Sequence, residues 1–342
     1  MVAVDTHDRE RPLEPELVEF EALIEAAGAT VVDRIVQRRT SVDPASLIGR
    51  GKVDDVAQLV EDTGAQVVFF LNELRPRQRK NLEARIAVPI IDRTMLILDV
   101  FAQHARSREG KLQVELAQLR YRQSNLIGAG ADLSRLGGGI GTRGPGETKL
   151  EVDRRRIGTR ISKLREALED VRRSRATRRS APHREPLIAL VGYTNVGKSS
   201  LLNRLAQSDA LVADQPFATL DPTLRRAYLA PNVAARVADT VGFITALPQE
   251  LITAFRATLE ELEDAELLVH VVDIAHPDWP RQKSSVESIL RDLHLDTKRR
   301  LLVFNKCDRV AIDSPQADAL CISARSGEGV EALKARLAEL LA

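Results

Sequence analysis

Gly192-Tyr-Thr-Asn-Val-Gly-Lys-Ser199 follows the apolar run Leu187-Ile-Ala-Leu-Val191 and opens a helix-patterned stretch, 198–206. Glycines at this spacing, then Lys and Ser, between a strand and a helix, make a phosphate-binding loop. Backbone N–H groups turn inward around phosphate oxygens there, and the helix N-terminus adds positive potential. The cradle runs from Gly192 through Tyr193, Thr194, Asn195, Val196 and Gly197 to Lys198, Ser199 and Ser200. Lys198 offsets charge on the β and γ phosphates, and the Ser199 hydroxyl suits a magnesium ion. A chance glycine-rich turn would lack this context.

Three further motifs lie downstream, each at the end of a strand-like run. Asp239-Thr240-Val241-Gly242 follows Ala235–Ala238. The carboxylate can hold magnesium through water, and the Gly242 N–H can meet the γ-phosphate. Asn305-Lys306-Cys307-Asp308 comes off Leu301–Phe304. Asp308 can accept from the N1–H and exocyclic amine of guanine, a pair that adenine lacks. A buried carboxylate deprived of those donors is costly, so such a site discriminates between bases. Asn305 can brace the loop and meet N7, while the Lys306 stem covers the base. Ser323-Ala324-Arg325, after the strand-like Ala319–Ile322, sets backbone N–H groups toward the guanine O6.

Apolar runs at Leu187–Val191, Leu267–Val272 and Leu301–Phe304 suit strands buried on both faces. Helical patterns alternate with them at 249–262, 282–293 and 330–341. Residues 185–342 therefore read as a doubly wound α/β domain. Toward the N-terminus, helix-like stretches (14–27, 52–63, 75–85) alternate with strand-like ones (30–36, 66–71, 88–91), an α/β domain of parallel strands over 1–103. Between them, 104–184 reads as a helical hairpin with a linker. Leu112, Leu116, Leu119 and Leu126 form one seam, and Leu150, Ile157, Ile161, Leu164, Leu168 and Val171 the other. The Gly-rich loop 136–147 joins them, Thr148 and Glu151 form a capping box, and 172–182 is a polar linker.

The 342 residues suggest two or three domains. No apolar run approaches 18 residues, and Met1–Pro12 has no apolar signal core, so we expect a cytoplasmic protein. Two cysteines cannot build a disulfide framework. Aromatic residues are only 4%, which disfavours an RNA reader built on stacking. The net charge of +1 hides a cancellation: 104–184 holds 20 Lys and Arg against 9 Asp and Glu, the remainder 30 against 40. A basic hairpin flanked by acidic domains suits nucleic acid, and Arg143, Lys149, Arg154, Arg155 and Arg156 are its candidate RNA contacts. Gly139-Ile-Gly-Thr-Arg-Gly144 matches a dinucleotide fingerprint in letters only, because no strand precedes it.

In this order the four nucleotide motifs resemble the GTPase domain of translation-factor-related G proteins. Phe217-Ala-Thr-Leu-Asp-Pro-Thr223, Asp239–Ile244, Gly137–Thr148, Ile48-Gly-Arg-Gly-Lys52, Ile91-Asp-Arg-Thr94 and Lys111–Ala117 narrow the match. They resemble the HflX family of ribosome-associated GTPases over about residues 14–342. The resemblance implies an N-terminal α/β domain, a helical hairpin and a P-loop GTPase domain. It also implies binding to rRNA and proteins of the large ribosomal subunit, and splitting or rescue of ribosomes under stress; off the ribosome a monomer is expected. It brings Phe217, Ala218, Thr219, Leu220 and Asp221 into the site as switch I, with Thr219 on magnesium and Thr223 its local competitor. Many members continue into a further C-terminal domain where this sequence stops, so that domain's contacts are not carried over.

Phe243 stands where many small GTPases have glutamine, and a phenyl ring cannot orient an attacking water. Slow intrinsic hydrolysis, accelerated by a partner, is the expectation. Asn195 resembles the asparagine that in some relatives helps hold a potassium ion, with loop bracing the plainer alternative. Two rivals remain: a signalling G protein with a protein effector, and an ATP-using P-loop enzyme, which Asn305–Asp308 opposes.

Overall fold

The computed structural model describes residues 1–6, 13–136, 149–179, 185–207, 216–217, 223–244, 262–310 and 319–341. Met1–Gln103 with Leu112–Glu169 form one compact unit, and His104–Lys111 with Asp170–Ala342 a second.

In the first unit β1 (Val2–Asp5), β2 (Ile35–Arg38), β3 (Val68–Phe70) and β4 (Ile90–Asp92) make a parallel sheet in the order β2-β1-β3-β4. Helices α1 (Leu13–Ala26), α2 (Arg50–Thr63), α3 (Pro76–Ile86) and α4 (Arg93–His104) accompany it. Val2, Val4, Val68, Phe70 and Ile90 from the strands meet Val53, Val56, Leu82 and Ile86 from α2 and α3 in one core. The Ile91-Asp-Arg-Thr94 string is an anchor. Buried Asp92 accepts from Arg79 Nη2 at 2.6 Å, the Tyr121 hydroxyl at 2.7 Å and the Met95 N–H at 2.9 Å.

The second strand lies later than its β-branched pattern suggests, at 35–38 rather than 30–36. Pairing starts at Ile35 because its partner β1 starts at Val2, so residues 30–34 lie beyond the end of that strand. Neither β1 nor α4 stood out in the sequence.

The hairpin helices are α5 (Arg108–Leu136) and α6 (Lys149–Arg179). Leu116, Ile161, Leu164 and Leu168 are buried together, flanked by Leu112, Leu119 and Ile157. Arg160 adds a two-pronged bond to Glu115 at 2.7 and 2.9 Å. Helix α6 corrects the expected linker. It continues to Arg179, because 172–179 holds Arg, Ala, Ser and Thr but no Pro or Gly to stop it. Thr148, the Gly-rich loop and Arg143 lie outside the described residues.

In the second unit β5 (Leu187–Gly192), β6 (Thr223–Ala230), β7 (Val233–Asp239), β8 (Leu267–Asp273), β9 (Arg300–Asn305) and β10 (Leu320–Cys321) form a sheet ordered β10-β9-β8-β5-β7-β6. Every pairing is parallel except β6 with β7. Strands β5 and β8 are buried along their whole length, as their unbroken apolar runs require. Helices α7 (Lys198–Leu205), α8 (Trp279–Asp292) and α9 (Val330–Leu341) belong to this unit. Trp279 enters α8 by packing edge-on to Phe304, ring centres 5.2 Å apart. Strand β6 went unread because an edge strand shows only alternating burial, here with Leu224 and Tyr228 exposed. The helical pattern at 249–262 lies almost wholly outside the described residues. Among those residues no helix is long and apolar enough to cross a membrane.

Candidate nucleotide site

Gly192, Asp239, Asp273 and Asn305 end β5, β7, β8 and β9, so their polar groups gather at the carboxyl edge of one sheet. That edge is where ligands bind in open α/β sheets. Directly after β5 the chain crosses to the Asp239–Phe243 segment. The Thr194 N–H donates to the Phe243 carbonyl at 2.8 Å, and the Phe243 N–H to the Gly192 carbonyl at 3.1 Å. The Thr240 hydroxyl donates to the Leu190 carbonyl at 2.7 Å. These bonds bring Gly242 against the phosphate loop. A Cβ on Gly242 would lie 2.9 Å from Thr194 Cα and 3.2 Å from Lys198 Nζ, so only glycine fits. The Phe243 ring is buried, and water positioning is closed to a buried phenyl group.

Lys198 opens α7, and its ammonium donates to the carbonyls of Gly192 at 3.1 Å and Tyr193 at 2.8 Å. Burial pushes it down to about 8, against the opposing pull of Asp239. Gly197 precedes it at φ +92°, in the left-handed region, and a Cβ there would lie 2.4 Å from Asn305 Nδ2. Asn195 is also left-handed, at φ +60°. The Ser199 hydroxyl donates to Asp239 Oδ2 at 2.5 Å, and that carboxylate is buried. A hydroxyl beside a buried carboxylate, both hard oxygen donors, matches what magnesium selects. Phe217 is buried, whereas Ala218, Thr219, Leu220 and Asp221 lie outside the described residues. Thr223 belongs to β6 and pairs with Asp239 in the sheet.

The Asn305–Asp308 and Ser323–Arg325 segments are tied to the Gly192–Ser199 loop by side chains. Asn305 Nδ2 donates to the Val196 carbonyl at 2.7 Å, and its Oδ1 accepts the Ala324 N–H at 2.9 Å. Lys306 Nζ reaches the Asn195 carbonyl at 2.8 Å and Asp273 Oδ2 at 2.6 Å. Asp273 is a site residue that no motif announced. Its only signal in the sequence was a carboxylate ending an otherwise apolar run. Arg204, at the far end of α7, donates to the Ala324 carbonyl at 3.3 Å. Ser323 is wholly buried, and Asn305 nearly so. Asp308 is exposed rather than buried, which leaves its oxygens open to a base from solvent. The Ser323 hydroxyl holds its carboxyl below the ordinary range.

On α6, Arg154, Arg155 and Arg156 are all exposed. Lys149 begins that helix. His270 is buried in β8, and neither ring nitrogen meets a hydrogen-bond partner among the described residues.

A phosphate loop, an acidic strand end facing it and a guanine-type base motif on one mostly parallel sheet define a P-loop G domain. Three family models match in series: a GTP-binding GTPase N-terminal region over 14–102, a GTP-binding GTPase middle region over 104–181, and a 50S ribosome-binding GTPase over 187–306. The GTPase HflX of Alkalihalophilus pseudofirmus is 45% identical, over 100% of this chain and 82% of its own length. That of Escherichia coli is 43% identical, over 95% and 79%. A crystal structure of SsGBP with GDP aligns at TM-score 0.54 and 26% identity, over 99% of this chain and 97% of that one. The chain belongs to the HflX family of GTPases, and it is a GTP-hydrolysing enzyme.

Proposed function

We propose that this GTPase binds the large ribosomal subunit in its GTP state and acts in splitting or rescuing ribosomes under stress. The observation that carries the reading is the exposed Arg154–Arg156 run on α6, within a segment of strong positive excess. A match to a 50S ribosome-binding model over 187–306 supports it. RNA phosphate is the natural counterpart of such a surface. Off the ribosome the chain is a cytoplasmic monomer.

Hydrolysis proceeds by in-line attack of water on the γ-phosphorus. The bond to the bridging oxygen breaks, and GDP and phosphate result. Lys198 releases its two carbonyl partners for the β and γ phosphates, and the amides of Tyr193–Ser200 hold the remaining oxygens. The Gly242 N–H senses the γ-phosphate. Asp308 accepts from the guanine N1–H and amine, Lys306 covers the base, and Ala324 and Arg325 present N–H groups to O6. Ser199 and Thr219 would hold magnesium directly and Asp239 through water, where the ion offsets phosphate charge. Asn195 would hold a potassium ion beside the phosphates. Unchanged single-turnover rates when sodium replaces potassium would refute that assignment.

Because Phe243 cannot orient water, intrinsic turnover is slow and the ribosomal partner completes the site. The test is GTP hydrolysis with and without purified large subunits at several salt concentrations. Stimulation that weakens steeply as salt rises is expected. No stimulation, or an effector complex that survives ribonuclease, would favour a protein effector instead.

A further inference from the structure

Cys307 and Cys321 are the chain's two cysteines, and the fold sets them side by side. Cys321 lies in β10, paired with Phe304 of β9. Cys307 comes three residues after Phe304 in one turn of 3-10 helix, Cys307–Arg309, and its N–H donates to the Ile322 carbonyl at 3.1 Å. Both side chains pack on one apolar cluster with Val272, Ile274, Phe304 and Ala319. Both are partly exposed, and the Cys307 thiol donates to the carbonyl of Phe304, the residue paired with Cys321 across the sheet, at 3.4 Å. The position is as telling as the proximity. Cys307 separates Lys306 from Asp308, and Cys321 stands two residues before Ser323. The pair thus joins the two segments that read the base.

We propose that Cys307 and Cys321 form a thiol–disulfide site, oxidised by small-molecule disulfides such as glutathione disulfide, that weakens guanine nucleotide binding when bridged. The inference rests on the assignment of Asp308 to guanine. Cys321 attacks first, because burial pushes the Cys307 thiol up to about 12. One glutathione leaves as its thiol. Cys307 then attacks the protein sulfur of the mixed disulfide and expels the second glutathione. Two protein thiols are oxidised, one glutathione disulfide is reduced to two thiols, and the two thiol protons end on the departing glutathiones.

A disulfide holds its sulfurs about 2.05 Å apart, far closer than two unbonded thiols can approach. Bridging therefore draws the 307–309 turn toward β10, and Asp308 rides on that turn. Paired hydrogen bonds to a base edge weaken steeply once distance and angle are lost. Loss of guanine affinity by about tenfold or more follows, a change of about 1.4 kcal/mol.

The test uses the full chain, treated with glutathione disulfide and then measured for intact mass and for binding of a fluorescent GDP. The expected product has lost two hydrogens, carries no glutathione and binds GDP at least about tenfold more weakly, with recovery in dithiothreitol. Cys321→Ser, compared with itself before and after treatment, should keep its GDP affinity. Thiols that stay free, a lasting single glutathione adduct, or a bridged protein that binds GDP as before would each overturn the proposal. The underlying base assignment is tested apart, in reduced protein, by Asp308→Asn. Loss of GDP binding there combined with no effect of the bridge refutes the switch alone.

Discussion

Lys198 carries an ammonium into a buried site, where two carbonyls accept its protons and the field of Asp239 favours its charge. Its depressed value of about 8 has a consequence for binding. Below that pH the amine is charged and ready for phosphate. Above it the neutral amine must first be reprotonated, so GDP affinity falls by up to about tenfold per pH unit. Titrations with fluorescent GDP between about pH 7 and 10 measure this, and a flat profile would contradict it. Asp308→Asn exchanges an acceptor for an amide that can donate to the C2 oxygen of xanthine. GDP affinity should fall by roughly a hundredfold while xanthosine diphosphate binding rises. Asp273→Asn keeps the side-chain shape but removes the charge opposite Lys306. With an ionic hydrogen bond worth about 1.5–3 kcal/mol, nucleotide Kd should rise on the order of tenfold. Calorimetry of both variants at one pH separates these effects.

Strand β8 shows how an element's burial sets the chemistry of a single group. His270 sits mid-strand, and burial, with Arg300, Lys283 and Lys198 nearby, pushes its imidazole down to about 3 from 6.5. The folded pKa lies below the unfolded one, so the contribution to stability is complete above about pH 6.5. It is lost as pH falls toward about 3, at roughly 1.4 kcal/mol per unit. Urea unfolding at about pH 7 and pH 5 should reveal this loss, and His270→Leu should shrink it. If the two proteins lose equal stability, another group carries the acid sensitivity. On helix α6, replacing Arg154, Arg155 and Arg156 by Gln preserves helix propensity and removes three charges. Ribosome binding should weaken, and the salt slope should flatten by up to about 0.9 for each RNA phosphate left without its arginine. Co-sedimentation across a salt series reads both.

For the whole molecule, the neutral sum of charge is a cancellation between a basic hairpin and acidic flanks. We propose that this hairpin is the element that meets RNA and that nucleotide state governs whether it is used. Association with ribosomes should be stronger with a non-hydrolysable GTP analogue than with GDP, and equal co-sedimentation in both states would refute the switch. The two compact units do not follow the sequence blocks. Leu112–Glu169 of the hairpin groups with the N-terminal domain, and the hairpin's outer ends group with the G domain. Composition and periodicity marked the hairpin as one block because its seams and charge are continuous. They carry no information on which neighbour each turn of helix packs against.

The sequence alone outlined the candidate nucleotide site, because each of its motifs is a run of consecutive residues. Gly192–Ser199, Asp239–Gly242 and Asn305–Asp308 were legible for that reason, and so were the fully buried strands β5 and β8 beside them. Tertiary structure decided what depends on residues far apart in the chain. It brought Asp273 to Lys306 and Lys306 to Asn195, and it set Asn305 between Val196 and Ala324. It started β2 at Ile35, ran α6 on to Arg179 and placed Cys307 beside Cys321. Spacing along a chain encodes contacts made within a loop or a helical turn. Contacts between strand ends follow from sheet order and register, which only the packed molecule sets.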